Sequence, residues 1–568
     1  MSVAGCPGPE WARRPGCLAP LGARQPGWSE VLGAAALHAS STWKLHAKRV
    51  PTIDLAKVAQ LSGGAASLEV FQQERGWLED GGRYEKVPIK NARGTPSARL
   101  SDEWIEQMLD VAMIKEVRRG EVSGHVRMFV VPEPAKQRFR PIKHTVDVND
   151  ILGKETLRPL RFPTKLDICD LVHRGECFIA LDFSAYYDQI KYAEEIGRRF
   201  CFRQGSRYFR LNTLAMGQRQ AVGVADSVTA RLVDFGPESV VRTIIDNVIF
   251  VGSREQVVRD ATIFVERVRF VGAMLNEDVS DIAALVQTVG DWGGVHLDFT
   301  AKTSSVTAKT LDKLDYSWSH RGEWTWRRFA GHVGLLFWTW QLLDLPMAEF
   351  FPLLRFVSAA SKFLTEDNEA WEQPARVWDS AWPALERWTM IALRNKPRVV
   401  PRVQAPEWLV ATDASEWGWG YFAVHNTSGA VRTFGAQWSA GFRQKYGDML
   451  WRSTFTEPQG VVNALCHLID PSKPSFVRVM TDNTPTQASF ARGYNARCFH
   501  INECLRRLYS IFGAEFTFDF VYLPGAWNPA DAFSRGMRIA GSEEQGDQEV
   551  GARLRGVAGS AVCPRHLV

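Results

Sequence analysis

Two sets of acidic residues stand at the ends of apolar runs, where a buried strand can fix the direction in which a carboxylate points. In the first set, residues 177–181 form an apolar run of strand length that ends in Asp182. About sixty residues later, two apolar runs flank Asp246-Asn247. Asx residues tolerate the positive φ of a tight turn, so this pattern predicts a hairpin with Asp246 and Asn247 at its tip. Two acids brought together in this way could clamp two Mg²⁺ ions about 3.5–4 Å apart and stabilise the attacking and leaving oxygens of phosphoryl transfer. Either acid alone reads as a turn or cap residue. Between them lies Ala215-Met216-Gly217-Gln218, ahead of a helical run over 225–235. Gly217 would let backbone approach a ligand closely, and Gln218 could hydrogen-bond it.

The second set is spread over about 120 residues. Residues 407–414 read as a strand carrying Asp413, followed by a glycine-containing turn at 416–420 and a strand at 421–425. Glu457 opens a helix and shares a face with Val461, Leu465 and Leu468, which points it toward a sheet. Residues 476–481 form another strand that runs into Asp482, and 516–523 lead through Pro524-Gly525 to Asp531 in a first helical turn. Each acid has a plain alternative, as dipole-favoured, turn or solvated residue. Their strand, helix, strand, helix order is what marks them as a set.

In this order the first set resembles the reverse transcriptase family. Asp182 with Tyr187 looks like the first palm motif, Ala215 to Gln218 like the Pro-x-Gly motif, and Ile245-Asp246-Asn247 like the Tyr-x-Asp-Asp hairpin. Upstream, Val131-Pro132 through Lys136, Arg140-Pro141-Ile142 and Asp147-Val148-Asn149 resemble the fingers segment. Downstream, Trp292 to Asp298 resembles the primer-grip strand pair. The likeness covers about residues 125–310. It implies that Asp182, Asp246 and Asn247 are catalytic, that Asp182 and Asp246 bind metal, and that Lys136, Arg140, Tyr187, Gly217 and Gln218 bind the incoming dNTP, with the Tyr187 ring excluding a ribose 2′-OH. Ile244, Asn247 and Ala215 depart from the family's usual Tyr, second Asp and Pro, and Asn offers a cation a neutral oxygen instead of a charged one.

The second set resembles the RNase H fold, and the ending from Leu523-Pro524-Gly525 through Asn528, Ala530-Asp531 and Ser534-Arg535 resembles its retroelement form. The resemblance implies that Asp413, Glu457, Asp482 and Asp531 hold two Mg²⁺ ions and activate water against an RNA phosphodiester. Together the two resemblances imply an RNA-directed DNA polymerase with ribonuclease H. Its cofactor would be Mg²⁺ or Mn²⁺, two ions per site, and its partners an RNA template, a DNA primer and the RNA–DNA hybrid. The motif wording is most similar to tyrosine-recombinase retrotransposons of the DIRS and VIPER type. Two other readings are a decayed or domesticated palm that only binds template-primer, and a nuclease in which the four-acid domain alone works.

The elements that must position these residues fit a chain of several domains. At 568 residues the chain exceeds one compact core, and 45% hydrophobic with 23% charged residues is a globular composition. No run reaches the ~18 apolar residues of a membrane-spanning helix. Nine dispersed cysteines without C-x-x-C spacing suggest neither zinc nor a disulfide framework, and fit a reducing compartment such as cytoplasm or nucleus. Net charge is only +5, yet residues 115–143 hold eight Lys or Arg against three acids, either a solvated basic face or a phosphate-contact surface.

The expected fold is α/β and α+β multidomain, a right-hand polymerase followed by an RNase H-like domain. Residues 1–60 read as a loose Gly/Pro/Arg arm, with a transit peptide as second reading. Fingers and palm occupy 61–310, a helical thumb or connection with its linker 311–400, the RNase H-like domain 405–540, and a disordered tail 541–568. Within these, Ser101 should cap a helix over 102–117, and 125–131 should form a strand. Trp371, Trp378 and Trp382 should share one helix face as core residues, and 395–406 should be a linker.

Overall fold

The computed structural model describes residues 43–84, 100–133, 137–152, 157–160, 162–343, 345–366, 368–400, 405–513 and 516–536. Most of the expected N-terminal arm and the whole of the expected tail lie outside these residues. The architecture is mixed α/β and multidomain, as expected. Contacts divide the chain into two compact units, interleaved in sequence.

The first unit comprises Met1–Thr52, Arg75–Leu157 and Tyr187–Val222. It holds two three-stranded sheets. In one, Arg138–His144 lies between Arg127–Glu133, antiparallel to it, and the short strand Lys44–Leu45, parallel to it. In the other, Arg207–Leu211 lies between Ile114–Val117 and Cys201–Gln204. Ser101 caps a helix as expected, its side chain accepting from Trp104 N, but the helix ends at Asp110. Ala112 takes a left-handed φ of 57°, and Ile114–Val117 becomes a strand because Arg207–Leu211 supplies its ladder partners. Tertiary pairing here overrides a helical spacing. The described end of the arm is structured as well, in the strand at Lys44–Leu45; in the second unit, the helix Leu55–Gln60 is capped by Asp54.

The second unit comprises Ile53–Glu74, Arg158–Tyr186 and Gly223–Val568. Its first sheet is antiparallel, with β1 (Cys177–Asp182) and β2 (Val240–Ile244) on either side of β3 (Asn247–Gly252). The helix α1 (Arg254–Phe270) packs on this sheet, its start fixed by a capping box between Ser253 and Gln256. A second sheet contains the pair Val289–Trp292 and Val295–Asp298, then Thr303–Val306, and finally Arg398–Val399, so part of the expected linker is a strand.

Helices Ala308–Ser319, Trp326–Leu343, Phe351–Glu366 and Trp382–Arg394 close around a Trp-rich core. Trp371, Trp378 and Trp382 all pack on that core but do not share a helix: Trp371 sits in the 3₁₀ turn Asn368–Glu372, Trp378 in a connecting segment, and Trp382 opens the last helix. Pro374 lies within the segment that would have joined them and cannot donate the backbone bond a helix needs there.

The last sheet has five strands. Strand β4 (Trp408–Ala414) pairs antiparallel with β5 (Gly418–His425), which pairs antiparallel with β6 (Val431–Gln437). On its other side β4 runs parallel to β7 (Phe476–Thr481), and β7 parallel to β8 (Thr517–Tyr522). The helices α2 (Ser453–Leu468) and α3 (Phe499–Phe512) bury an apolar face against it, with Val461, Leu465, Leu505 and Leu508 fully buried among Val410, Val477 and Phe520. Helix α2 begins one turn before Glu457, which the sequence placed at its start.

Candidate active sites

Three of the four acids converge on this last sheet. Asp413 lies near the end of β4, Asp482 directly follows β7, and Glu457 rises from α2 above them. One carboxylate oxygen from each lies within 4.8 Å of the others. The helix can come this close because Gly460, one turn after Glu457, faces the sheet: a Cβ there would stand 2.8 Å from the Cβ of Ala414. Asp413 and Glu457 are only 6% and 5% exposed, so their charges are taken out of water.

Proton affinity follows from that burial. Desolvation, then the charges of Asp413 and Asp482, push Glu457 up to about 9. Desolvation raises Asp413 to about 6, with Asp482 and Asp531 adding to it and a hydrogen bond from Ser534 opposing. Asp482 is raised for the same first cause. One oxygen of Glu457, Oε2, is buried with no hydrogen-bond donor among the described residues. Three crowded carboxylates, one with an orphaned oxygen, form a set whose mutual repulsion a divalent cation would remove. The residues therefore fit the expected metal.

Asp531 stands apart from the three. It begins the short helix α4 (Asp531–Ser534), is half exposed, and pairs with Arg535 at 2.9 Å, yet its charge raises the proton affinity of the other three acids. The sequence quoted Asn528 and Ser534 only as motif letters, and the structure gives both work. Asn528 Nδ2 donates to Thr412 O at 3.0 Å, its Oδ1 accepts from Ala530 N, and it hydrogen-bonds Asp482. Ser534 bonds Asp413. Buried polar residues beside buried acids were the available signal.

The first set divides between the two units. In the second unit, β1 and β3 pair Asp182 opposite Asn247, and Phe183 N donates to Asp246 O at 3.0 Å. The hairpin differs from expectation. Ile245, not an Asx residue, takes the left-handed conformation, with φ 57°, and the turn is Ile245-Asp246 while Asn247 opens β3. Such a φ is costly for a β-branched side chain. Thr229 Oγ1 holds it by donating to Ile245 O at 2.6 Å. Burial raises the carboxyl of Asp246 above its ordinary value. Asn276 and Glu277, which sequence reasoning missed, both bond Asp182.

In the first unit, Arg140 pairs with Glu133 and lies 2.9 Å from Met216 Sδ, which brings the strand Arg138–His144 to the Gly217 loop. Lys136 lies outside the described residues. Gly217 serves packing: a Cβ there would meet Lys143 O at 2.7 Å, and Asn149 Nδ2 donates to Gly217 O at 2.9 Å. Gln218 is 1% exposed, its amide donating to Tyr84 and accepting from Tyr192. Its side chain is therefore committed inside the fold, which corrects the expectation of a direct ligand contact. Tyr187 is 9% exposed, and the adjacent Asp188 is fixed by Lys143 and Thr213.

No family model matches this chain, and no curated protein is detectably similar to it. Among solved structures it is similar to a foamy viral protease-reverse transcriptase in complex with double-stranded DNA, at 11% identity over 85% of this chain and 84% of that one, with a TM-score of 0.42. A second structure with double-stranded DNA gives 11% identity, 83% and 96% coverage, and a TM-score of 0.41. A third, with an RNA/DNA hybrid, gives 12% identity, 83% and 62% coverage, and a TM-score of 0.42.

Proposed function

We propose that this chain is a divalent-metal-dependent RNA-directed DNA polymerase joined to a ribonuclease H. It would copy RNA into DNA and cut the RNA strand of the resulting hybrid. The observation that carries the reading is the convergence of Asp413, Glu457 and Asp482, three acids far apart in sequence, on one buried point. In the nuclease site these three, with Asp531 beside them, would hold the ions. When bound, the ions supply Lewis acidity to a phosphodiester and an acidified water. The chain's own contribution is a rigid frame. Asn528 ties the loop before Asp531 to β4, Ser534 orients Asp413, and Gly460 lets α2 deliver Glu457.

In the polymerase site, Asp182 and Asp246 would hold the metal. In the first unit, taken by itself, the motif likeness would give Arg140 and backbone at Gly217 to a triphosphate and Tyr187 to a sugar. The retroelement origin, and its tyrosine-recombinase subtype, rest on the motif wording alone. A second reading is favoured by a specific observation: among the described residues only the four-acid domain gathers three carboxylates, while Asn247 leaves the hairpin one acid short. An RNase H-only nuclease, or a palm that merely binds template-primer, would account for that. Incubating the chain with a primed RNA template, dNTPs and Mg²⁺ separates these readings. Extension with RNA cleavage supports the full proposal, and cleavage without extension supports the nuclease alone.

A further inference from the structure

The end of β1 that carries Asp182 is gripped by a segment to which the sequence assigned no role. Beyond α1, residues 274–277 run against residues 182–184. Ser184 N donates to Met274 O at 3.0 Å, Phe183 bridges Leu275 in antiparallel fashion, and Asn276 N donates to Asp182 O at 2.8 Å. Those backbone bonds suffice to close the loop, whatever side chains it carries.

The two side chains at its end do more. Asn276 Nδ2 donates to Asp182 Oδ2 at 2.8 Å and reaches Phe183 O at 3.4 Å, while Glu277 Oε2 accepts from Asp182 N at 2.9 Å. One residue is thus held at its carboxylate and at its peptide nitrogen by two neighbours in sequence. Asn276 is exposed to solvent and could satisfy its amide with water, yet it is turned onto the carboxylate.

We propose that Asn276 and Glu277 are positioning residues for Asp182 in nucleotide incorporation, an inference that rests on the polymerase reading of the palm. A donor fixed on Oδ2 restrains the side-chain torsions of Asp182 and sets the direction in which it presents its carboxylate. An amide orients the group without neutralising it, as a lysine would. Glu277 fixes the backbone from which the side chain springs.

The test uses the full chain and the variants N276D, N276A, E277Q and E277A. Single-nucleotide incorporation is measured, together with template-primer affinity. The second readout is backbone cleavage by Fe²⁺ with ascorbate and peroxide, which cuts the chain wherever the ion sits; fragments ending near Asp413 serve as an internal control. N276D replaces the donor by a repelling oxygen. It should lower kcat by about tenfold or more, the size of one charge-assisted hydrogen bond at a metal ligand, with template-primer affinity unchanged. Cuts near Asp182 should weaken while those near Asp413 persist. N276A should fall between wild type and N276D. E277Q keeps an acceptor and should stay near wild type, whereas E277A should lose several-fold.

Incorporation and cleavage by N276D and N276A indistinguishable from an active wild type would overturn the clamp and leave the polymerase reading standing. A wild-type chain that neither incorporates nucleotide nor is cut near Asp182 would overturn both.

Discussion

Replacing Glu457 by Gln should make the metal-free protein more stable while abolishing the proposed cleavage of hybrid RNA. Glu457 is buried between Asp413 and Asp482, and its carboxyl is pushed from the usual 4.5 up to about 9. The folded state therefore keeps a proton that the unfolded chain releases above pH 4.5. Stability falls as pH rises from the unfolded value toward the folded one, by about 1.4 kcal/mol per pH unit. At pH 7 the displacement from the unfolded value is two and a half units, so holding the acid costs about 3 kcal/mol. Gln is isosteric, neutral at every pH and still able to accept a hydrogen bond.

In chelator, Glu457→Gln should therefore gain about 3 kcal/mol at pH 7 by denaturant unfolding, with the gain shrinking to nothing near pH 4.5. Mg²⁺ should raise the stability of the wild type more than that of the variant, because at Glu457 the cation takes the proton's place. RNA cleavage in a hybrid should be lost. A variant no more stable than wild type at pH 7, or a gain that does not shrink at acid pH, would refute the reasoning that burial and crowding set this carboxyl's charge.

Asn247→Asp should raise incorporation about tenfold, the return of about 1.4 kcal/mol of transition-state stabilisation, with the native protein preferring Mn²⁺; equal rates in steady-state extension would contradict this. Tyr187→Ala or Val should admit ribonucleotides, read as a fall in the dNTP to rNTP preference. If the ring only packs, thermal stability and all incorporation will drop together while the preference holds. Arg140→Ala should raise the apparent KM for dNTP, since a charge-assisted contact to the triphosphate is lost; an unchanged KM would return Arg140 to its pairing with Glu133.

The elements that carry Asp413, Glu457, Asp482 and Asp531 were legible because their signals were local. Strand β7 ends where the apolar run ends, Glu457 shares a helical stripe with Val461 and Leu465, and Asp531 opens a helix. What escaped depended on partners distant in sequence. The strand Ile114–Val117 exists because Arg207–Leu211 lies beside it, and its residues alone look like the end of a helix. Gln218 looked like a ligand-facing amide, since nothing in its own segment announces Tyr84 and Tyr192 as its partners. The hairpin was foreseen, but its tip was set one residue too late and its left-handed φ given to an Asx residue: Ile245 carries a conformational cost that Thr229, sixteen residues earlier, offsets. Asn276 and Glu277 carried no motif that would mark them, and only the fold brings them to Asp182.

The central claim is that two separate carboxylate sites in one chain perform two phosphoryl-transfer reactions. One assay tests it most directly: primer extension on a labelled RNA template with Mg²⁺, following both strands, for the wild type beside Asp182→Ala and Asp413→Asn. The account predicts that the wild type extends the primer and shortens the RNA. Asp182→Ala should lose extension yet still cut a preformed hybrid, and Asp413→Asn should lose cutting while extending normally. Extension surviving Asp182→Ala, or hybrid cleavage surviving Asp413→Asn, would contradict it.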